Sequence, residues 1–503
     1  MSTRSDIQAL ALAACLALPG AVFTQSLPED LDAYIEDVRS EWRVAGLSIS
    51  VVKDGAVVYA KGFGDRERGS GLAVDEHTLF AIGSNTKAFT AAGLGILVDD
   101  GKLSWDDRVI DHLPWFRLKE PYVTREITVR DILSHRSGLG RRGDSNWYAS
   151  DFDREEIVRR IRHLEPNSSF RSQAGYQNTM FLTAGLVIEA VTGESWDTWI
   201  KHRILQPLGM TRSRTSVLEL EGMDNVATPH AILDDEVVVV PHRNIDNIGP
   251  AGSILSSALE MTYWMRAMLG EGAFEETRIV SENVVSEVWK SNIIYPLPPS
   301  YTKLFPSTHF STYGLGWGLR DYRGRLVATH TGGIDGMLSQ ILLLPEEELG
   351  IVVLTNTSPS GSLAQSTVTF HIVDAYLGAS GETDWRAAFR ELGESQKKQQ
   401  VETRQKRDAS RVADTTPTLA LDAYAGKYED TMYGALSFSI KGDALVLRRH
   451  SDWIADLEHW HFDTFLARWR DPVMGESLVS FRIAANGKVS SVDVEGLAEF
   501  ERQ

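Results

Sequence analysis

The sequence predicts an α/β (α+β) protein. Its expected core is a five-stranded antiparallel sheet flanked by terminal helices, with a helical insertion domain beside it. A small C-terminal all-β, barrel-like domain follows. Three observations carry this reading. An early strand hairpin and three late strand patterns bracket a long helical stretch. From residue 419 onward the pattern changes to short strands separated by turns. At 503 residues the chain is also too long for one ordinary hydrophobic core.

Taken in order, the chain opens with Met1-Ser-Thr-Arg4-Ser-Asp6, an apolar run from Ile7 to Phe23, and polar Thr24-Gln25-Ser26. A basic residue before an apolar run too short to span a membrane predicts a cleaved signal peptide over residues 1–26. An exported protein, periplasmic or secreted, follows from it. Cys15, the single cysteine, stands after Leu12-Ala13-Ala14 in the manner of a lipoprotein box. The apolar run continues past it through Leu18, which favours a plain signal. Cleavage beyond Cys15 would leave no cysteine for disulfides or thiol chemistry. No later stretch is apolar enough to span a bilayer. A net charge of −18, with 43% hydrophobic and 24% charged residues, describes a globular chain and argues against generic nucleic-acid binding.

One large domain is expected over residues 27–380. Leu31 to Trp42 reads as an amphipathic helix. Leu47–Lys53 and Ala56–Gly62 alternate as strands around Asp54-Gly55, a hairpin turn signal. A helix is predicted from about Ser84 to Val98, stopped by Asp99-Asp100-Gly101. Further helices are predicted over Thr128–Leu133, Glu155–His163, Asn178–Val191 and Ala258–Leu269. The proline-rich, aromatic stretch Tyr295–Pro306 reads as a surface excursion or cleft rim. Strands return at Arg325–His330, Leu338–Leu344 and Gly350–Thr355, followed by a helix near Gln365–Leu377. Residues 381–418, dense in Lys, Arg, Gln and Glu, read as a charged linker or solvated helix. Residues 419–503 carry strand patterns at Gly434–Ile440, Ala444–Arg449 and Ser477–Ile483, with Asn486-Gly487 as a turn.

The chemistry centres on Ser84-Asn-Thr-Lys87 at the start of an apolar helix. Residues three apart share a helix face, so a hydroxyl and an amine can meet. A serine becomes nucleophilic when a base takes its proton, and burial or a nearby cation can adapt a lysine to that task. Tyr176-Gln-Asn178 opens a second helix, and His330-Thr331-Gly332-Gly333 ends a strand whose glycines permit close approach.

Ser84-x-x-Lys87, Tyr176-x-Asn178 and His330-Thr-Gly resemble the three motifs of the serine β-lactamase and penicillin-binding-protein superfamily. The Tyr-x-Asn form points to the branch of class C β-lactamases, D-aminopeptidases, D,D-carboxypeptidases and family VIII-type esterases. Leu133-Ser-His-Arg-Ser-Gly-Leu139, Gln206-Pro-Leu-Gly-Met210, Tyr313-Gly-Leu-Gly-Trp-Gly318 and His330-Thr-Gly-Gly-Ile-Asp-Gly336 look like the same branch. Tyr424-Ala-Gly-Lys-Tyr428 and Glu458-His-Trp-His-Phe-Asp-Thr-Phe465 resemble the lipocalin-like β domain that follows such domains. The resemblance implies Ser84 as acylated nucleophile, Lys87 as its proton partner and Tyr176 as general base or acid. Asn178 would orient the substrate or Lys87, and the backbone N–H groups of Ser84 and Gly333 would form an oxyanion hole. His330 joins the catalytic set; Thr331, Gly332 and Gly333 join Asn178 in binding substrate.

One departure matters. His330 stands where β-lactamases and D,D-carboxypeptidases usually carry lysine, and its charge is conditional near neutral pH. Hydrolysis of amide bonds in small linear peptides, including those with D-residues, or of carboxylic esters is therefore expected first. A β-lactamase or D,D-carboxypeptidase is the alternative, and a catalytically silent binding protein on the same fold is the second. No cofactor, metal or nucleic-acid partner is expected. The partner is a small molecule or short peptide, and a homo-oligomer stays open. His459-x-His461-x-Asp463 would share one face of a strand, yet Thr464 breaks the zinc-hydrolase resemblance and a packed strand is expected. His112 and His135 read as structural. Asp151 to Glu156 reads as the start of an acidic helix, and Trp147-Tyr148 as cleft lining or packing.

Overall fold

The computed structural model describes residues 26–141 and 146–503. The predicted signal segment and Cys15 lie outside the described residues, Ser26 excepted. Helix α1 (Leu31–Glu41) leads into strands β1 (Gly46–Lys53) and β2 (Ala56–Gly64). Their turn places Asp54 at φ 50° and Gly55 at φ 71°, the paired positive dihedrals whose twist matches a hairpin. The late strands are β3 (Ile293–Ile294), β4 (Ser311–Tyr313), β5 (Gly318–Tyr322), β6 (Arg325–Ile334), β7 (Met337–Leu344) and β8 (Leu349–Thr355). They join the hairpin in one antiparallel sheet, ordered β2-β1-β8-β7-β6-β5-β4-β3. The five expected strands form a continuous run from the β2 edge to β6. Three short strands extend it, because runs of two, three and five residues are too brief to show a period of two.

Both sheet faces are covered. Leu47, Ile49 and Val51 of β1 and Leu349, Ile351 and Val353 of β8 point toward α1 and the late helix α7 (Gly361–Tyr376). Val52, Val352 and Leu354 point to the opposite core, beneath the helical insertion. That insertion contains α2 (Thr86–Asp99), α3 (Val129–Leu133), α4 (Arg154–Arg160), α5 (Asn178–Thr192) and α6 (Ala258–Leu269). Local signals set their ends. Thr128 and Asp131 form a reciprocal capping box on α3, Ser257 caps α6, and Gly193 closes α5 at φ 76°.

Two expectations change. The Tyr295–Pro306 stretch is more than a rim: it holds a short helix, Pro299–Leu304, and buries Phe305 against Phe370 and Trp385. The charged 381–418 stretch carries a 25-residue helix, α8 (Trp385–Ala409). Its first turns bury Trp385 and Phe389 against α7. The remainder is exposed and pairs outward, with Lys397 on Asp235 at 2.9 Å and Arg407 on Glu476 at 2.9 Å. Only Trp385 and Phe389 are buried among so many charges, too few to show an amphipathic period.

Eight strands between Gly426 and Arg502 close into a barrel, the first pairing with the last through Tyr428↔Arg502. Tyr424, Tyr428, Phe438, Phe465 and Phe481 fill its interior, with ring pairs 4.9–5.7 Å apart. The resemblance to lipocalins is thus architectural; this barrel is packed. His459, His461 and Asp463 do not share a face, because a bulge falls between the histidines. Each has its own partner instead: Phe462 O for His459 Nε2, the Val412 N–H for His461 Nδ1, and Tyr424 and Thr418 for Asp463. No helix among the described residues is long and apolar enough to cross a membrane.

Trp385 donates its indole N–H to Asp374 at 2.8 Å and lies within a ring cluster. Trp385→Ala should therefore cost about 3–5 kcal/mol in chemical denaturation. Lys397→Ala, on the exposed part of the same helix, should stay within about 0.5 kcal/mol.

Candidate active site

Ser84 occupies the middle of a tight turn, Gly83–Asn85, that runs directly into α2. The turn is fastened to the sheet by side chains. Asn85 Nδ2 donates to Ser339 Oγ at 2.6 Å, and Ser339 Oγ donates to Ile82 O at 2.6 Å. Two glycines then let the backbones meet. A Cβ on Gly332 would lie 1.9 Å from Ile82 O, and one on Gly83 would lie 2.5 Å from Gly333 N. Gly83 also has φ +50°, which disfavours any other residue. Beyond Thr329, the β6 edge facing β5 has no strand partner among the described residues, so His330–Ile334 present an open edge there.

Lys87 follows one turn later and is fully buried, on a helix with almost no exposed face. Its Nζ donates to Ser84 Oγ at 2.9 Å, Asn178 Oδ1 at 2.6 Å and Ala251 O at 2.8 Å. Three acceptors suit the three protons of an ammonium, which is how a buried cation is compensated. The Ala251 carbonyl belongs to the short helix Gly249–Gly252, where Pro250 packs against the bare face of Gly185. Nζ also lies 4.9 Å from the Tyr176 ring centre.

Tyr176 donates its hydroxyl to Ser84 Oγ at 2.8 Å. Its loop is braced from below by the Ser134–Leu139 segment. His135 accepts from the Gly175 N–H through its carbonyl at 2.8 Å and from the Gln177 N–H through Nδ1 at 3.2 Å. Its ring lies 4.3 Å from that of Tyr176 and 4.5 Å from that of Tyr313. His135, read as structural, is therefore a direct neighbour of the site. Its one sequence signal is the Ser-His-Arg-Ser-Gly loop, held at φ 58°. Asp131 anchors this loop through Arg136 and Arg171. Burial opposes its charge, but the Arg171 bond, the Thr128 N–H and Arg136 outweigh it and hold the carboxyl below its ordinary range.

His330 needs correction. Its Nδ1 lies 2.6 Å from Thr331 O, so that nitrogen carries the proton; Nε2, 2.9 Å from Tyr313 Oη, accepts the phenol hydrogen. Both nitrogens are committed within the protein. Burial, assisted by the Lys87 charge, pulls its pKa from 6.5 down to about 3, so it is neutral across the physiological range. His135 is also pushed well below its ordinary value, by burial first and then by Lys87, His330 and Arg141. Thr331 is not brought to Ser84 either. Strand alternation turns it to the terminal-helix face, paired with Gln340, while His330 and Gly332 share the Ser84 side. Ser84, Lys87, Tyr176 and Asn178 are joined by hydrogen bonds, and Gly332 and Gly333 lie against their turn.

The barrel reaches this region through Asp471 and Trp453. Tyr148 Oη donates to Asp335 Oδ2 at 2.7 Å and Arg243 Nε donates to the same atom at 2.8 Å, while Arg243 also pairs with Asp471 of the barrel. Asp335 stands two residues beyond Gly333, so the barrel braces the turn that ends β6. Sequence reading left Tyr148 between lining and packing and missed Arg243, whose partners are far apart in the chain.

Comparison with known proteins decides the family. The Beta-lactamase family matches residues 31–372. The chain belongs to the β-lactamase family. Its C-terminal residues 410–503 match a domain of unknown function, DUF3471. The unguisins hydrolase ungD' of Aspergillus campestris (strain IBT 28561) is 28% identical over 428 residues, covering 82% of this chain and 77% of its own. Penicillin-binding protein 4 of Amycolatopsis lactamdurans is 29% identical over 336 residues, covering 66% and 85%. The octameric penicillin-binding protein homologue from Pyrococcus abyssi superposes with a TM-score of 0.63 at 25% identity, over 94% of this chain and 99% of that one. These homologues place the chain among β-lactamase-like serine hydrolases.

Neutral buried histidines link stability to pH. His330 and His450, held at about 3 and about 4, bind protons more readily when unfolded. Their contribution is complete above the ordinary value of 6.5 and is lost as pH falls toward the folded values. The denaturation midpoint should accordingly drop on going from about pH 7 to about pH 5, with a shallower slope in His330→Asn.

Proposed function

We propose that the protein hydrolyses amide bonds of small linear peptides, including those with D-residues, or carboxylic esters, through an acyl-enzyme on Ser84. The observation that carries this reading is the convergence of Lys87 Nζ and Tyr176 Oη on Ser84 Oγ, at 2.9 and 2.8 Å. In the reacting form Tyr176 has released its hydroxyl proton to solvent, leaving a phenolate that the neighbouring Lys87 ammonium favours; the phenolate takes the serine proton as Oγ attacks the substrate carbonyl and becomes the neutral phenol. The Ser84 and Gly333 N–H groups receive the carbonyl oxygen as it gains negative charge, supported by the Gly83–Gly332 contact. Collapse breaks the amide or ester bond, and Tyr176 returns the proton to the departing amine or alcohol. Water then attacks the acyl ester by the reverse proton route and frees the acid.

Substrate choice follows from His330. A neutral ring with both nitrogens occupied supplies no cation for a substrate carboxylate, in contrast to the lysine usual in β-lactamases and D,D-carboxypeptidases. A relative named as an unguisins hydrolase supports hydrolysis, and the D-amino acid amidase from Ochrobactrum anthropi SV3 shares the fold. The N-terminal apolar run supports export to the periplasm or beyond.

A fluorophosphonate probe should label the wild type and leave Ser84→Ala unlabelled; labelling of neither would favour a silent binding protein. Aminoacyl anilides or nitrophenyl esters should turn over faster than nitrocefin, and the opposite order would overturn the substrate ranking. Tyr176→Phe should lower kcat by about 100-fold or more while the thermal melt stays within a few degrees.

A further inference from the structure

Arg320 of β5 is a buried cation that the proposed reaction does not use. It is 9% exposed and its side chain makes no hydrogen bond or ion pair among the described residues; its Nε is buried without a partner. Its guanidinium lies between two aromatic faces, 4.7 Å from the Phe305 ring centre and 5.1 Å from that of Phe370. Ring faces attract a cation but accept no directed hydrogen bond from its terminal NH₂ groups. Burial pushes the guanidinium below its ordinary value, against the opposing effects of Tyr301, Tyr322 and Asp321. It stays charged, as an arginine does. In a chain of net charge −18, a buried cation whose guanidinium bonds no acid calls for a reason.

The surroundings supply one. Arg320 borders a cavity of about 320 Å³, in the range of small-ligand sites. Thr331, Gln340 and Ser366 face the same space. Gln340 Oε1 already accepts from Thr369, which leaves its NH₂ as a donor, and the Thr331 and Ser366 hydroxyls can donate as well. Donors therefore gather around the cation, with Phe389 and Leu297 adding apolar wall. Tyr295 also lines the cavity and lies 6.1 Å from the ring of Tyr313, the partner of His330. Thr331 and Tyr295 thus place the cavity against the face of β6 opposite the Ser84 turn.

We propose that Arg320 anchors a pocket for a small organic carboxylate, its acid group on the guanidinium and its apolar body along the aromatic wall. The acid is either the anionic end of a substrate or a free carboxylate. Binding stands apart from the hydrolase reading; only the assignment to substrate rests on it.

Calorimetry of the full chain carrying Ser84→Ala tests binding without turnover, using sodium benzoate and its neutral counterpart benzamide. Benzoate should bind Ser84→Ala with a 1:1 ratio, and at least about tenfold more weakly once Arg320→Met is added. Benzamide should bind neither protein. Arg320→Met should melt no lower than its parent, since an apolar side chain replaces an unpaired buried charge. Benzoate should raise the melting temperature only where Arg320 is present. A melting point that falls on Arg320→Met, with no stabilisation of the parent by benzoate, would show an aromatic clamp and overturn the pocket. Equal benzoate affinity with and without Arg320, or no benzoate binding, would also overturn it. In the Ser84-containing enzyme, a selective rise in KM for the carboxylate-bearing member of a matched amide pair on Arg320→Met assigns the acid to substrate. An unchanged pair ratio alongside Arg320-dependent benzoate binding assigns it to a free acid.

Discussion

The backbone contact between the Gly83–Asn85 turn and β6 governs the arrangement of everything else at the site. At 1.9 Å from Ile82 O, a Cβ on Gly332 has no place to go, and backbone atoms on both sides leave no flexible group to yield. Closing that gap brings an inserted helix against a strand from the far end of the domain. Ser339 secures it by bridging Asn85 and Ile82. Ser84 is consequently set by rigid elements and not by a mobile loop, and the Gly333 N–H is carried to it by the same contact. Precise placement of a nucleophile is worth far more to a reaction than any single surface interaction.

Around this contact the electrostatics are built from few charges. Lys87 is the buried cation, compensated by Ser84, Asn178 and Ala251. The two nearby histidines are kept neutral by burial and by Lys87 itself. Their rings serve shape and hydrogen bonding: His330 holds Tyr313, and His135 holds the Tyr176 loop. A residue type known for titrating near neutral pH is here removed from titration, which leaves the site's polarity nearly constant over the physiological range.

Much of this was legible in the chain. Two long strands with a paired Asp-Gly turn, and helices ending at Gly101 and Gly193, were signalled by local chemistry that the tertiary structure preserves. Ser84, Lys87, Tyr176 and Asn178 were readable because each sits at the start of a helix in a short pattern. That Thr331 faces away from Ser84 is not displayed by the motif, because strand alternation decides the face. His330 was assigned a conditional charge because the sequence does not display the Tyr313 and Thr331 partners or the depth of burial. Arg243, Asp335 and Asp471 escaped notice for the same reason: their meeting depends on how the barrel docks. The short edge strands and the two buried residues of α8 lay below any periodic signal.

The barrel, with its interior filled by aromatic rings, acts by its outer surface. Through Asp471 and Arg243 it reaches the turn after β6, and through Trp453 it holds the Tyr148 carbonyl at 2.9 Å. It thus belongs to the wall around β6, while the proposed chemistry rests on Ser84. The most direct measurement is mass spectrometry of the full chain, acid-quenched during turnover of a slowly hydrolysed nitrophenyl ester. One acyl group should appear on the peptide carrying Ser84 and disappear as the substrate is exhausted. Hydrolysis with no adduct on that peptide, or with the acyl group on a different residue, would contradict the account.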